Sequence, residues 1–495
     1  MQKIFNSTRE LDKSAIAKYD LSEDVLMENA ATELMNNVYL QLHLRSLKQN
    51  IKIDKPVILI VCGSGDNGGD GYALARKFFK GEEVVVYPIL EAKSKMCILQ
   101  KKRAEKSGIK FISSKEFSRY VKKSDVIVDC IFGSGFHGEL ADQIKKAVNL
   151  MNKSRAVKIA CDIPSGMYFK SDVTVTMGAL KSLLFDDAAK DYTGMIVTGN
   201  LGISRELFES NGKTDAYLLE KSDMRLPHRE KENTNKGNYG HTAIVTGQKY
   251  GAGIIAASAA LSFGSGLVTA VESESTNIFD SDDKLKISIF EIMHSKEIPE
   301  KTDALALGMG FGRNKSHVKK YLEILLKNKK LSACIDADMF YYPELVSLLE
   351  KKRNLVLTPH PKEFSALLKI CGFKNQNGSD YSVKEILENR NRLVEDFCKK
   401  FPGLVLLLKG ANVLIGQYTE KKGFELYVNN YGKPCLSKGG SGDVLAGMIA
   451  ALLAQKYDIL QAAISGSLAH ALASRQASSD FGMTPFDLIQ CVKNL

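Results

Sequence analysis

The sequence predicts an α/β protein made of two domains, each built around a parallel β-sheet. Short runs of β-branched and aliphatic residues alternate with segments of helical periodicity, a pattern typical of a sheet covered by helices on both faces. Glycine-rich polar segments directly follow several of the predicted strands. A polar stretch near the middle of the chain interrupts this alternation, which then starts again, so we expect a linker there.

Length and composition agree with this prediction. The chain has 495 residues, more than one hydrophobic core usually organises. Hydrophobic residues make up 44% and charged residues 25%, which excludes a disordered or collagen-like chain. No apolar run is long enough to cross a bilayer, and residues 1–20 lack the apolar segment of a secretory signal. We therefore expect a cytoplasmic protein without a membrane partner.

Cysteines and charge point to a reduced protein that binds small anions. The nine cysteines lie far apart without a C-x-x-C pair, so we expect them to be reduced core residues. The net charge of +11 would suit nucleic acid, but lysines and arginines are scattered among 57 acidic residues and tryptophan is absent. Phosphorylated small molecules explain the charge equally well, and we expect no nucleic-acid partner.

The predicted strands are rich in valine, isoleucine and leucine, whereas the predicted linker is rich in charged residues. In the first half we predict strands over 57–62, 84–90, 125–131, 157–162 and 173–177, with helices over 71–79 and 139–151. The predicted linker covers 221–240. In the second half we predict strands over 242–246, 304–307, 334–336, 355–358 and 405–408, with a helix over 252–263.

The first glycine-rich segment, 63–71, follows the predicted strand 57–62. It contains five glycines together with Asp66, Asn67 and Asp70. Exposed backbone N–H groups and the N-terminus of the next helix would form a phosphate cradle. A tight glycine turn between strand and helix is the alternative.

Two further strand ends of the first half carry polar side chains. Asp129 lies inside an apolar strand and precedes a second glycine loop, and Asp162 and Ser165 follow the next strand. A buried carboxylate needs hydrogen-bond partners or a cation. Oxygen atoms of Asn67, Asp129 and Ser165 would suit a monovalent ion as well as Mg²⁺, with structural hydrogen bonding as the alternative for each residue.

The strongest signal of the second half is the run 438–447. Gly439–Gly442 at a helix start would free N–H groups to hold an anion, and Asp443 would accept a proton from a bound hydroxyl. A glycine helix cap with an acid that favours the helix dipole is the alternative.

Other strand ends of the second half carry weaker signals. His360 lies between two prolines after a strand, where ligand contact competes with a structural role. Residues 409–413 form a turn that can present backbone to a nucleotide, and 306–313 form a further glycine loop. Asp336 and Asp338 follow another strand.

Over about residues 1–215, the first-half motifs resemble the NAD(P)HX epimerase domain, also called the YjeF N-terminal domain, with a Rossmann-like three-layer fold. They are the segments 66–71, 129–135 and 162–166, and 174–176 with Lys181. The resemblance implies a K⁺ ion on Asn67, Asp129 and Ser165, and a catalytic, substrate-contacting Asp162. It also implies that the hydrated dinucleotide contacts Asp66, Asn67, Gly68, Gly69, Asp70, Gly133, Ser134, Gly135, Phe136, His137, Gly138 and Glu139.

Over about residues 225–495, the chain resembles the ADP-dependent NAD(P)H-hydrate dehydratase domain of the YjeF C-terminal type, which has a ribokinase-like fold. The resemblance implies that the hydrated dinucleotide contacts Ala252, Gly310, His360 and Asp443. It also implies that the adenine nucleotide contacts Lys409, Gly410, Ala411, Asn412, Val413 and Gly442.

Four residues depart from these family patterns. Asp66 stands where asparagine is common, and Asn200 stands where aspartate is usual. Met309 replaces a proline in the glycine loop, and Lys438 replaces a small hydroxyl residue before the glycine run.

Together the resemblances imply a bifunctional repair enzyme. The first domain would interconvert the R and S forms of NADHX and NADPHX, and the second would convert the S form to NAD(P)H with ADP as co-substrate, giving AMP and phosphate. Asp443 would be its base, with Mg²⁺ as cofactor, and we expect a homo-oligomer. The alternative is a ribokinase-type kinase of small-molecule hydroxyls with a non-catalytic N-terminal binding domain.

Overall fold

The computed structural model describes residues 1–50, 53–78, 81–136, 138–210, 212–273, 291–312 and 315–495. The chain divides into two compact units, one of Lys3–Asp215 and one of Ala216–Leu495 with Met1–Gln2. Within the described ranges, no helix combines the length and the apolar character needed to span a bilayer.

The first unit is an α/β structure. Its strands are β1 (Gln2–Phe5), β2 (Val57–Cys62), β3 (Glu83–Pro88), β4 (Lys110–Phe111), β5 (Val126–Cys130), β6 (Val157–Cys161), β7 (Val173–Met177), β8 (Leu180–Lys181) and β9 (Met195–Gly199). Its helices are α1 (Arg9–Tyr19), α2 (Glu23–Gln49), α3 (Asp66–Ala75), α4 (Lys95–Lys106), α5 (Ser114–Lys123), α6 (Asp142–Asn152) and α7 (Arg205–Glu209).

Seven strands of the first unit form a parallel sheet in the order β4-β3-β2-β5-β6-β7-β9. Alternate residues of β2 separate onto its two faces. Ile58 and Ile60 join an apolar cluster with α2, α3 and α4, whereas Leu59 and Val61 join another with α5 and α6. The fully buried strand therefore lies between two helical layers, which confirms the predicted three-layer architecture.

Helix α3 begins at Asp66, inside the segment that the sequence predicts as a loop before a helix over 71–79. The reason is close packing of helix against strand. A Cβ atom on Gly68 would lie 2.2 Å from the Gly63 carbonyl oxygen, and one on Gly71 would lie 2.7 Å from Cys62 Sγ. These glycines let α3 start directly at the end of β2.

The second unit repeats the α/β plan with more strands. Its strands are β10 (Ala216–Leu218), β11 (His241–Thr246), β12 (Leu267–Glu272), β13 (Met293–Ser295), β14 (Ala304–Leu307), β15 (Ser332–Ile335), β16 (Leu355–Leu357), β17 (Val405–Leu408), β18 (Val413–Thr419) and β19 (Gly423–Asn429). Its helices are α8 (Tyr250–Ser262), α9 (Lys315–Lys327), α10 (Leu345–Lys351), α11 (Pro361–Ile370), α12 (Val383–Glu388), α13 (Arg390–Lys400), α14 (Ser441–Ala454), α15 (Ile459–Ser474) and α16 (Pro485–Val492).

The sheet of the second unit has the order β13-β12-β11-β14-β15-β16-β17-β18-β19-β10. Strands β11 to β17 pair in parallel, and β17, β18 and β19 pair antiparallel. Helices cover both faces: Ile415 of β18 joins the apolar cluster of α8, α14 and α15, while the next residue, Gly416, faces Val394 of α13. The predicted α/β class is confirmed here too.

The predicted linker, 221–240, contains structure of the second unit. Two short 3₁₀ helices, Lys221–Asp223 and Lys236–Tyr239, lie within it. The Tyr457 hydroxyl donates to the Leu226 carbonyl at 3.0 Å. Just before this segment, β10 pairs in parallel with β19. These contacts join segments that are far apart in the chain, so local composition did not reveal them.

We predict that Gly447→Ala destabilises the second unit. Helices α8 and α14 cross so closely that a Cβ atom on Gly447 would lie 2.1 Å from the Ala256 carbonyl oxygen. Overpacking of this kind costs about 1–3 kcal/mol of unfolding free energy, measurable by denaturant titration. The matched control is Gly251→Ala in α8, where a Cβ atom meets nothing within 4 Å. Equal unfolding free energies for the two variants would contradict this packing.

Candidate functional sites

The first unit contains a cavity of about 630 Å³ at the carboxyl ends of its central strands. Of the predicted contact residues, Asp66, Asn67, Asp70, Asp162 and the segment 133–136 line it. Gly68 and Gly69 are instead buried within α3. Gly138 and Glu139 are exposed, and Glu139 pairs with Lys145 at 3.1 Å. His137 lies outside the described residues.

Asp162 is the most tightly held carboxylate of this cavity. It follows β6 with a left-handed φ of +66°, a conformation that aspartate tolerates better than most residues. Its Oδ1 atom accepts a hydrogen bond from Lys181 Nζ at 2.5 Å, and its Oδ2 atom accepts one from the Ser134 N–H at 3.2 Å. Burial raises the pKa of Asp162, but Lys181 outweighs burial and holds this pKa below its ordinary value. Asp162 is therefore an ionised group that can accept a proton.

Asp129, Ser165 and Asn67 provide oxygen atoms beside the cavity. Asp129 is fully buried, and its carboxylate accepts hydrogen bonds from the Ser165 N–H at 2.9 Å and the Ser165 hydroxyl at 2.7 Å. Burial raises the pKa of Asp129 to about 6, against the lowering effect of these hydrogen bonds. Both polar atoms of the Asn67 side chain are buried, and neither has a hydrogen-bond partner among the residues that the structure describes. Such an orphaned amide is costly unless a ligand satisfies it.

Two further carboxylates line the cavity. Burial raises the pKa of Asp12 to about 6; Lys181 lowers this pKa and Asp162 raises it. Burial also raises the pKa of Asp70, and the negative charges of Asp162 and Asp66 add to this effect. Sequence reasoning missed Asp12 as a candidate, because α1 carries no glycine motif and the short strand β1 before it was not predicted.

The two departures in the first unit have structural explanations. Asp66 accepts a hydrogen bond from the Ser94 hydroxyl at 2.5 Å, which ties the start of α3 to the start of α4. Asn200 accepts a hydrogen bond from the Gly202 N–H at 2.7 Å and so closes a turn after β9.

The second unit brings the predicted Asp443 to the first turn of α14. The helix cap is Gly440, which has a left-handed φ of +91° and lies so close to Pro485 that a Cβ atom would be 2.5 Å from its ring. Burial raises the pKa of Asp443 to about 7; Asp336 adds to this rise and Lys409 opposes it. Asp443 is therefore poised to exchange a proton near neutral pH.

A network of charged residues surrounds Asp443. Lys409 Nζ lies 2.8 Å from Asp336 Oδ1 and 3.6 Å from Glu363 Oε2. Burial lowers the pKa of Lys409, but the two carboxylates outweigh it, so the lysine stays charged. A Cβ atom on Gly442 would lie 3.3 Å from Lys409 Nζ. The fold therefore brings these two predicted nucleotide-binding residues next to each other. Glu363 was not predicted, because it meets Lys409 only through the fold.

His360 has a structural role, and part of its ring remains exposed. Its Nδ1 atom accepts hydrogen bonds from the N–H groups of Lys362 and Glu363 and thereby caps α11. Its Nε2 atom lies 3.1 Å from Glu363 Oε1, and 45% of the side chain remains exposed. The capping role thus leaves part of the ring available to a ligand.

The remaining predicted residues lie in two loops. Gly310 has a left-handed φ of +60°, and a Cβ atom there would lie 3.0 Å from the Ala252 side chain, so these two are neighbours. Residues 409–413 join β17 to β18, and within them Asn412 is buried and its carbonyl accepts a hydrogen bond from Arg390 at 2.7 Å. Gly410 and Ala411 are exposed, and Val413 is half-buried.

The departures in the second unit also have structural roles. Met309 is fully buried in the apolar cluster of α8 and α14. Lys438 Nζ donates to the Phe481 carbonyl at 2.9 Å and holds the chain before α16.

Two family models match the chain, one over most of the first unit and one over most of the second unit. One described as YjeF-related protein N-terminus matches residues 23–183, and one described as NAD(P)H-hydrate dehydratase matches residues 242–494. A solved NAD(P)H-hydrate dehydratase from Bacillus subtilis is 22% identical, with a TM-score of 0.44, and the match covers 54% of this chain and 92% of that chain.

Two relatives of the same name match most or all of the chain. The bifunctional NAD(P)H-hydrate repair enzyme Nnr of Helicobacter pylori is 42% identical over the whole length of both chains. The enzyme of the same name from Coxiella burnetii is 31% identical, with 86% of each chain covered. The resemblances inferred from the sequence motifs are thereby confirmed. The chain belongs to the family of bifunctional NAD(P)H-hydrate repair enzymes.

Proposed function

We propose that this chain repairs NADH and NADPH whose nicotinamide ring has been hydrated. The first unit interconverts the R and S hydrates, and the second unit dehydrates the S hydrate with ADP. Family membership over the full chain supports both activities. The observation that carries the proposal is the second-unit site, where Asp443 stands at a glycine-capped helix start beside the charged Lys409. The kinase alternative has no comparable support.

The dehydratase step follows from this geometry. The hydroxyl of the hydrate is a poor leaving group, so it must first be converted to a phosphate. Asp443 accepts the hydroxyl proton while the hydroxyl oxygen attacks the β-phosphorus of ADP and AMP leaves. N–H groups at the start of α14 stabilise the phosphate charge. The ring nitrogen then expels phosphate, and loss of a proton from the adjacent carbon gives NAD(P)H.

The nucleotide contacts follow the same argument. We propose that the loop 409–413 and Gly442 hold the adenine nucleotide, and that Ala252, Gly310 and His360 contact the hydrate. Among the described residues, no cluster of three or more carboxylate, histidine or cysteine side chains could hold a metal ion. We therefore propose that Mg²⁺ enters with the nucleotide phosphates, as is common for this ion.

The epimerase step requires an ionised group beside the hydroxyl-bearing carbon. We propose that Asp162, kept ionised by Lys181, handles the proton of the water that leaves or adds. Segment 133–136 and the start of α3 would hold the dinucleotide in the cavity.

We further propose that Asn67, Asp129 and Ser165 hold K⁺. The amide of Asn67 supports this proposal, because its oxygen is buried beside the cavity and no described residue is its hydrogen-bond partner. When bound, K⁺ would supply a positive charge that attracts substrate phosphates. Neutral oxygens with one carboxylate suit a large, weakly charged ion.

The direct test is recovery of NADH from a mixture of R and S NADHX after addition of the chain with ADP, Mg²⁺ and K⁺. We expect complete recovery, faster than spontaneous epimerisation, as measured by the near-ultraviolet absorbance of the dihydronicotinamide ring. Recovery that stops at the S fraction would disprove the epimerase. No recovery with ADP or ATP would disprove the dehydratase.

Single variants separate the two sites. We expect Asp443→Asn to lower the dehydration rate at least about 100-fold while epimerisation continues, because the base is lost from one site only. Asp162→Asn should give the opposite pattern. Each rate is measured on separated R and S hydrates. Loss of both activities in either variant would contradict two independent sites.

Dehydration should depend on pH through Asp443. A base accepts a proton only when it is ionised, and burial raises the pKa of Asp443 to about 7. We therefore expect kcat/KM for the S hydrate to rise as the pH increases through about 7 and then to level off. A steady-state pH profile that stays flat through this range would contradict Asp443 as the base.

K⁺ should stabilise the first unit through Asn67. At a K⁺ concentration tenfold above Kd, binding adds about 1.4 kcal/mol to the free energy of unfolding. We expect thermal unfolding to shift upward in potassium chloride relative to choline chloride, and Asn67→Ala to abolish this shift. The control is Asn36→Ala, an exposed asparagine of α2, which should keep the shift. An unchanged response of Asn67→Ala would disprove the assignment.

A further inference from the structure

Helix α1 forms part of the wall of the first-unit cavity. It covers Arg9–Tyr19 and so precedes residues 23–183, which match the N-terminal family model. Asp12 is the carboxylate that this helix contributes to the cavity. Its charge interacts with those of Asp162, which follows β6, and Lys181 of β8, and both of these residues line the same cavity. The cavity therefore has acidic groups on two of its walls.

Epimerisation at the hydroxyl-bearing carbon has a geometric requirement. Water must leave from one face of the ring, and water must add to the other face. A hydroxyl that leaves must gain a proton, whereas a water that adds must lose one. Inverting glycosidases meet the same requirement with two carboxyl groups on opposite sides of the reacting carbon. One carboxylate fixed at the end of β6 can serve only one of these faces.

The surroundings of Asp12 and Asp162 give them different proton affinities. Lys181 contacts Asp162 directly at 2.5 Å and keeps it ionised. Asp12 has no such contact within the described part of the chain, and burial raises its pKa to about 6 even though Lys181 opposes this rise. Paired carboxyl groups whose environments separate their pKa values are typical of an acid and a base that act together.

The other charged groups around Asp12 come from three helices. Besides Lys181 and Asp162, the charged residues that line the cavity are Arg9 and Lys13 of α1, Glu23 of α2, and Asp66 and Asp70 of α3. Lys13 already pairs with Glu10 at 2.8 Å. Of the charged groups that line the cavity, Asp162 raises the pKa of Asp12 and Lys181 lowers it, and burial makes the net change a rise. This rise favours the protonated form, which is the form that a proton donor needs.

We propose, resting on the epimerase function proposed above, that Asp12 is a second catalytic residue of the first unit and acts on the ring face opposite Asp162. The Asp12 carboxyl donates its proton to the hydroxyl, the carbon–oxygen bond breaks, and water leaves. The lone pair of the ring nitrogen forms the iminium double bond. Water then attacks the other face, the double-bond electrons return to nitrogen, and Asp162 takes the proton. Proton exchange through solvent restores both carboxyl groups, and the reverse reaction exchanges their roles.

The test is Asp12→Asn in the full chain, which keeps the side-chain shape and removes the titrating proton. We expect kcat for epimerisation to fall about 100-fold with KM nearly unchanged, and dehydration of the S hydrate to stay at the wild-type rate. The wild-type kcat/KM should decrease as the pH rises through about 6, because the acid loses its proton, and Asp12→Asn should lose this dependence. Asp12→Glu should restore part of the rate together with the pH dependence.

Two more variants make the test specific. Asp20→Asn changes an exposed aspartate at the end of the same helix, in a left-handed conformation that asparagine also adopts, and should leave all rates unchanged. Asp70→Asn changes another carboxyl group of the cavity whose pKa is raised by burial. The proposal is overturned if Asp12→Asn keeps the wild-type kcat for epimerisation or changes KM alone. It is also overturned if Asp12→Asn keeps the pH dependence of kcat/KM while Asp70→Asn loses it. Absence of catalysed epimerisation in the unchanged chain would overturn the proposed function and this proposal with it.

Discussion

Both units depend on parallel strands that are buried on both faces. Side chains along such strands meet helices and not water, so polar groups that must reach a ligand lie where the strands end. Asp162 follows β6 and Lys409 follows β17 in this way. Asp129 is the exception, because it lies within β5, and it depends on hydrogen bonds from Ser165. The position of each candidate site is thus a consequence of the sheet.

Each unit also contains a lysine that pairs with an aspartate, Lys181 being buried and Lys409 half-buried, and the two pairs have different effects. Lys181 contacts the proposed reactive acid, Asp162, and lowers its pKa. Lys409 contacts Asp336 instead. Burial and the negative charge of Asp336 therefore raise the pKa of the proposed base, Asp443, more than Lys409 lowers it. The same pair of residue types therefore yields an ionised carboxylate in one unit and a carboxyl that titrates near neutral pH in the other.

The sequence allowed prediction of those features that depend on short segments. The α/β class, the strand β2 and the glycine run before Asp443 follow from local patterns of apolar residues and glycines. The early start of α3 does not, because it depends on contact between Gly71 and Cys62. Pairing of Lys409 with Asp336 joins residues far apart in the chain, and Asp12 reaches its cavity from a helix without any motif.

The glycines of α3 show how a motif combines two physical demands. Asp66 and Asn67 at the start of this helix line the cavity, whereas Gly68 and Gly71 lie against the strand and its end. A larger residue at these positions would push the helix outward and carry Asp66, Asn67 and Asp70 with it. Loss of activity after substitution at Gly68 or Gly71 would therefore measure the spacing between helix and strand, and not the strength of a ligand contact.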